Sequence, residues 1–152
     1  MNKLISAFFL ALIVVSVASS QEKWKKIEND SFSFSLPESF KKTDARGIDS
    51  FVEKYDGGSI VIVFDYGMYS NNFQDWSDKT KYEYLKVDGK DARIGVAKEE
   101  HRDGFPYSTQ VHFVLGKYTK LSMFAACKSE SDVSIARRIF ESIAFKTKDK
   151  AK

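Results

Sequence analysis

A single cysteine, Cys127, leaves the chain without any intrachain disulfide. Charge of one sign is also scarce: 24 Lys+Arg stand against 21 Asp+Glu, a formal +3. That excess is too small to specify a nucleic acid or another polyanion. The eight glycines are scattered singly apart from Gly57-Gly58, so no phosphate-loop, dinucleotide-binding or Gly-x-Ser-x-Gly pattern is formed and no nucleotide chemistry is expected. The uncharged run 4–17 spans fourteen residues, short of the roughly 20 that cross a bilayer as a helix. No repeat or low-complexity stretch interrupts the chain. What is present is 43% hydrophobic residues, with 13 Phe and 7 Tyr among 152 residues, which fits one globular domain and argues against disorder.

The N-terminus has the layout of a secretory signal peptide: Lys3, the apolar run 4–17, then the small residues Ala18, Ser19 and Ser20. Cleavage is expected after Ser20, with Ala18 and Ser20 at the −3 and −1 positions; a cut after Ala18 is the alternative. No cysteine follows the apolar run, so lipid attachment has no acceptor. The expected organisation is a signal peptide over 1–20, a single α+β domain over 21–146 and a basic tail over 147–152. Such a chain is exported, to a periplasm or outside the cell, and keeps no stable membrane span after cleavage. Asn29-Asp30-Ser31 is a glycosylation sequon, meaningful only in a host that modifies exported asparagines.

Within the domain, most segments alternate in the manner of half-buried strands. Strands are predicted over 31–36, 51–55, 59–66, 81–87, 91–100, 107–115 and 119–127. Asp56-Gly57-Gly58, Asp88-Gly89, Asp103-Gly104 and Gly116-Lys117 supply the turns. Ile60 to Phe64 is apolar on both faces, which predicts a central strand covered on both sides. The four strands after residue 80 should form an antiparallel meander. Ser129 and Asp132 are spaced as a helix cap, and Val133, Ala136, Ile139, Phe140 and Ile143 recur at helical spacing. A second, short helix is predicted from about residue 70 to Lys79, with Ser70, Asn71 and Asn72 as candidate caps. The fold class read from these patterns is α+β, a meander-rich central antiparallel sheet packed by a C-terminal helix and a short mid-chain helix.

Three local patterns carry a family resemblance: Phe32-x-Phe34-x-x-Pro37-x-x-Phe40, Val87-Asp88-Gly89-Lys90-x-Ala92, and Ala136-x-x-Ile139-x-x-Ser142-Ile143-x-Phe145. Together with the strand order they resemble the PsbP and Mog1 superfamily of small α+β domains over nearly the whole mature chain. The resemblance implies a central antiparallel sheet with helices on both faces and a role as an accessory or assembly protein rather than an enzyme. Members serve partners as unrelated as photosystem subunits and a Ran-type GTPase, so the fold transfers no ligand and the motifs transfer no functional residue. An exported chain also could not meet a nuclear GTPase.

Cys127, His101 and His112 invite a thiol mechanism. Strand parity opposes it: Cys127 shares a face with Leu121, Met123 and Ala125, and a buried thiol without a cationic neighbour is inert. His112 falls on the face opposite Val111 and Phe113. A hairpin about Asp103-Gly104 would set it across from about Gly95, roughly 20 Å from His101 at ~3.3 Å per residue, so the two cannot share a metal ion. Glu99, Glu100, His101 and Asp103 read as a solvated turn, and Asn71, Asn72, Asp75 and Asp78 lack the spacing of a calcium loop. No catalytic residue, metal ligand or cofactor is therefore expected. The remaining feature is aromatic: Tyr66, Met68, Tyr69, Phe73 and Trp76 surround Asn71 and Asn72. Rings beside asparagine on a loop suit a protein or sugar surface, although Phe73 and Trp76 are better read as pinning the short helix to the sheet, which leaves Tyr66, Tyr69 and the asparagines as the better surface candidates. The reading is a non-catalytic exported binding domain that engages an envelope or secreted protein through Tyr66, Tyr69, Asn71, Asn72 and Trp76. The alternatives are a carrier of a small ligand or metal ion in a cavity between sheet and helix, and a Cys-dependent hydrolase.

Overall fold

A computed structural model describes residues 22–71, 80–98 and 103–146. The expected signal peptide and basic tail fall outside the described residues, as do residues 72–79 of the expected mid-chain helix. Ten strands and one helix follow in order: β1 (Trp24–Glu28), β2 (Phe32–Pro37), β3 (Lys41–Thr43), β4 (Phe51–Asp56), β5 (Ile60–Gly67), β6 (Lys81–Val87), β7 (Lys90–Ala97), β8 (Tyr107–Gly116), β9 (Thr119–Cys127), α1 (Glu130–Glu141) and β10 (Ala144–Phe145). Seven form one sheet in the order β3-β4-β5-β9-β8-β7-β6, and β1-β2-β10 form a second. Every pairing is antiparallel. The architecture is α+β, and α1 is the only helix among the described residues.

The meander β6-β7-β8-β9 forms as its turns predict. Between β6 and β7, Asp88 and Gly89 have φ of 49° and 73°. Two consecutive positive φ values match the twist of a tight hairpin, and Asp-Gly reaches them at low steric cost. The helix begins at Ser129, whose side chain accepts from the Asp132 N–H at 3.2 Å, and Ser59 Oγ donates to Asp132 Oδ1 at 2.8 Å. At the other end, the Ser142 hydroxyl donates to the Ile139 carbonyl at 2.6 Å and accepts from the Ser35 N–H at 2.8 Å. One serine thus closes the helix and fastens it to β2.

The core lies between one face of the large sheet and a cover made of β2 and α1. Ile62 and Phe64 of β5, Leu121, Met123 and Cys127 of β9, and Val111 and Phe113 of β8 meet Phe32, Phe34 and Leu36 of β2 and Ile139 and Phe140 of α1. Phe32 and Phe34 set their rings edge-on to Phe64, with centroids 5.2 and 5.8 Å apart. The alternation of Phe and Ser in 31–36 accounts for this: a period of two puts Phe32, Phe34 and Leu36 on one side.

Three strands escape the sequence patterns. β1 and β3 carry lysines (Lys25, Lys26, Lys41, Lys42) where alternation would need apolar residues, and β10 has two residues. All three are edge strands, where backbone pairing carries the assignment. β7 ends at Ala97, short of the predicted Glu100.

Candidate functional site

The face of the large sheet turned away from the core is organised quite differently. Asp65, Ser122, His112, Arg93 and Tyr84 stand side by side across β5, β9, β8, β7 and β6. Beside this row, Gln110 lies next to Gly95, where an added Cβ would approach Gln110 Nε2 to 2.8 Å and the Thr80 and Tyr82 side chains to 3.0 Å. A side chain there would have to displace the end of Gln110 and press on Thr80 and Tyr82. Farther along, Val61, Ala126 and Phe105 form a small second apolar cluster with Phe124, so the outer face of β5 is covered at Val61, while Val63 and Asp65 are half-buried.

Hydrogen bonds clasp the chain after β5 to this row. Ser122 Oγ donates to the Asn71 carbonyl, and Ser70 Oγ donates to the Asp65 carbonyl at 2.8 Å. The Asn71 N–H reaches Asp65 Oδ2 at 3.4 Å. Ser70 Oγ also donates to Ser122 Oγ at 3.0 Å, and Ser122 Oγ lies 2.8 Å from His112 Nδ1. Ser70, Ser122 and His112 thus form one hydrogen-bonded chain with the Asp65 and Asn71 carbonyls. Burial, then Arg93 and Lys120, push the His112 pKa down to about 4, against a smaller opposing pull from the Asn71 backbone. His112 is neutral at ordinary pH.

An open groove of about 700 Å³ adjoins the row, lined by Tyr84, Lys86, Asp91, Arg93, His112 and Val114. Lys86 and Asp91 pair at 2.6 Å on its wall. A smaller cleft of about 260 Å³ lies between the sheet and the start of α1, against Val96, Tyr107 and Val133. Cys127 sits in the core with no exposed surface, and burial, with Asp132 adding to it, pushes its thiol up to about 12. A thiol so placed is neither ionised nor reachable. Among the described residues, no three His, Cys, Asp or Glu side chains converge as a metal site requires. No helix there is long and apolar enough to cross a membrane, which says nothing of strands.

The candidate aromatic loop divides. Tyr66 turns toward the core, its ring 5.5 Å from that of Phe32, whereas Tyr69 is 65% exposed. Asn71 contributes its backbone to the clasp. Asn72 and Trp76 lie outside the described residues, as does His101. The partner of His112 is Arg93, and Gly95 pairs with Gln110. The expected register is thus two residues off, because nine residues join β7 to β8 and Asp103-Gly104 is not at their centre.

Sequence reasoning missed a surface that the loop belongs to. The exposed large apolar side chains of the described residues are Ile48, Phe51, Met68, Tyr69, Tyr84, Val114 and Tyr118. Ile48 precedes β4, whose first residue Phe51 pairs with Tyr66 near the end of β5; Met68 and Tyr69 follow β5; Tyr118 lies in the β8–β9 turn. Those five are carried by segments at one end of the large sheet, where Gly67 pairs with Lys120 and packs against Ser50, and the Phe51 ring also packs on Phe64 of the core. Val114 of β8 and Tyr84 of β6 are exposed on the outer face. The residues are up to 70 positions apart in sequence, so no local pattern could have joined them. Compared with known proteins, the chain matches no family model, and no curated protein is significantly similar to it.

Proposed function

We propose that this chain is an exported, non-catalytic accessory domain of the PsbP/Mog1-like kind that binds a protein partner in the envelope or extracellular space. The observation that supports this reading is the gathering of Ile48, Phe51, Met68, Tyr69 and Tyr118 at one end of the sheet. Exposed apolar side chains are ordinary when scattered and meaningful when contiguous. Here the loop that presents Met68 and Tyr69 is held at its base by the Ser70, Asn71 and Ser122 hydrogen bonds. Such a loop loses little further freedom on docking, and tyrosine brings contact area at low entropic cost. Tyr69 and Tyr118 are the anchors of this surface; Tyr66 supports it from beneath through Phe32.

The experiment is affinity purification of the tagged full-length protein after crosslinking in its own host. A single partner enriched over an exported control, and lost with Tyr69→Asp plus Tyr118→Asp at an unchanged melting temperature, is the expected result. Equal recovery with the double variant would remove this surface from the account.

A further inference from the structure

We propose that β6, the open edge of the seven-stranded sheet, pairs antiparallel with β6 of a second copy of this chain, about a twofold axis at Leu85.

β6 ends the strand order, and among the described residues no backbone group bonds to its outer side. Sheet edges are guarded in most proteins by short strands, lysines, prolines or bulges. The opposite edge follows that rule, since β3 has three residues and two of them are Lys41 and Lys42. β6 instead runs seven residues in unbroken register with β7 and contains no proline or glycine. The charges in its middle are turned back on their own molecule. Glu83 accepts both arms of the Arg137 guanidinium at 2.7 and 3.0 Å, and Lys86 pairs with Asp91 at 2.6 Å. Tyr84, between them, is 76% exposed.

The hairpin decides which backbone groups of β6 face outward. A two-residue turn with positive φ at both Asp88 and Gly89 makes Val87 and Lys90 a hydrogen-bonded pair. Bonded and non-bonded pairs then alternate along the ladder, so the odd residues of β6 bond to β7 and the even ones turn their N–H and C=O away from it. Tyr84 and Lys86 therefore offer two donors and two acceptors on the open edge.

A twofold axis normal to the sheet joins inner face to inner face, so it pairs odd residues with odd and even with even. Centred on Leu85, it sets Tyr84 of each copy opposite Lys86 of the other, and these two pairs exchange four backbone hydrogen bonds. Leu85 meets its own copy at a non-hydrogen-bonded site, where side chains approach most closely, and Glu83 meets Val87. No like charges stand opposite each other. Centring on Glu83 would oppose two carboxylates and centring on Lys86 two ammonium groups, while centring on Tyr84 leaves Leu85 opposite Glu83. Five residues a side make a small interface, so half-association is expected at about 0.1–0.5 mM. None of these residues belongs to the surface of Tyr69 and Tyr118, and the dimer does not depend on that surface.

Sedimentation equilibrium of the protein isolated from its own host, from about 10 µM to about 2 mM, is expected to show the mass rising from one chain towards two. Tyr84→Lys sets like charges across both outer pairs and should move that rise to about tenfold higher concentration. Tyr84→Glu gives each Lys86 an opposite charge and should leave the rise in place or move it lower. Both variants change a side chain already open to solvent, so the fold persists. Leu85→Cys should crosslink to its own copy under mild oxidation, because opposed residues at such a site lie within disulfide reach. Lys41→Cys on the other edge should not, and Cys127 is buried and takes no part. A single-chain mass up to about 2 mM would overturn the proposal and leave the edge to a strand of another protein. Equal shifts from Tyr84→Lys and Tyr84→Glu, or crosslinking of Lys41→Cys as readily as of Leu85→Cys, would overturn it as well.

Discussion

The two faces of the seven-stranded sheet are made from the same strands and do opposite work. On the inner face, β5, β8 and β9 present Ile62, Phe64, Val111, Phe113, Leu121 and Met123, all sealed under β2 and α1. On the outer face the alternate residues of those strands are Asp65, His112 and Ser122, tied to one another's neighbours by hydrogen bonds. The inner face gains its free energy from area removed from water, which needs no particular geometry. The outer face gains much less, but it holds the loop after β5 in place. Stability belongs to the first and the placement of the loop after β5 to the second.

The largest effect that would sharpen this contrast is a truncation of the inner face. Phe64→Ala removes a ring packed against Phe32, Phe34 and Phe51 and should destabilise the domain by about 3–5 kcal/mol in urea unfolding. A loss below about 1 kcal/mol would mean that the inner face is not the stabilising one.

Next in size is a pH effect from the outer face. The folded His112 titrates near 4, while an unfolded histidine titrates near 6.5. Above that value neither state holds the proton. As pH falls from about 6.5 to about 4 the unfolded chain takes up a proton that the folded chain refuses, so stability is lost through that window and levels off below it. The upper bound is about 3 kcal/mol. Unfolding midpoints of wild type and His112→Gln measured from pH 7 to pH 4 should diverge accordingly, with the wild type falling more steeply. Parallel curves would contradict the placement of His112.

Smaller still is Ser122→Ala, which removes the hydroxyl bonded to His112 Nδ1, Ser70 Oγ and the Asn71 carbonyl at the cost of about 1–3 kcal/mol; hydrogen exchange at 68–71 should accelerate with it. The smallest is Tyr118→Ala, expected to change stability by no more than about 0.5 kcal/mol because the side chain is 60% exposed. A larger loss would place Tyr118 in the core economy rather than at an interface.

The contrast between the faces also explains what could be read in the sequence. Inner-face parity is a local signal: Phe32, Phe34 and Leu36, or Leu121, Met123, Ala125 and Cys127, announce themselves by alternation alone, and Ser129 with Asp132 marks the start of α1. The outer-face row is not local. Ser122, His112 and Arg93 become neighbours only through the registers of β7, β8 and β9, and a nine-residue connection shifts that register by two from a symmetric hairpin. The direction of Tyr66 was equally hidden, since it depends on β2 crossing beneath it. Charged edge strands such as β1 were missed because paired backbone, not side-chain pattern, holds them.

The most direct test of the account is site-specific photocrosslinking in the native host, with a photoreactive residue in place of Tyr118, of Tyr69, or of Lys25 on the three-stranded sheet. The account predicts adducts to one and the same protein from positions 69 and 118 and none from position 25. Adducts from position 25 alone, or the same adducts from all three, would contradict the assignment of the partner surface to the exposed apolar end of the large sheet.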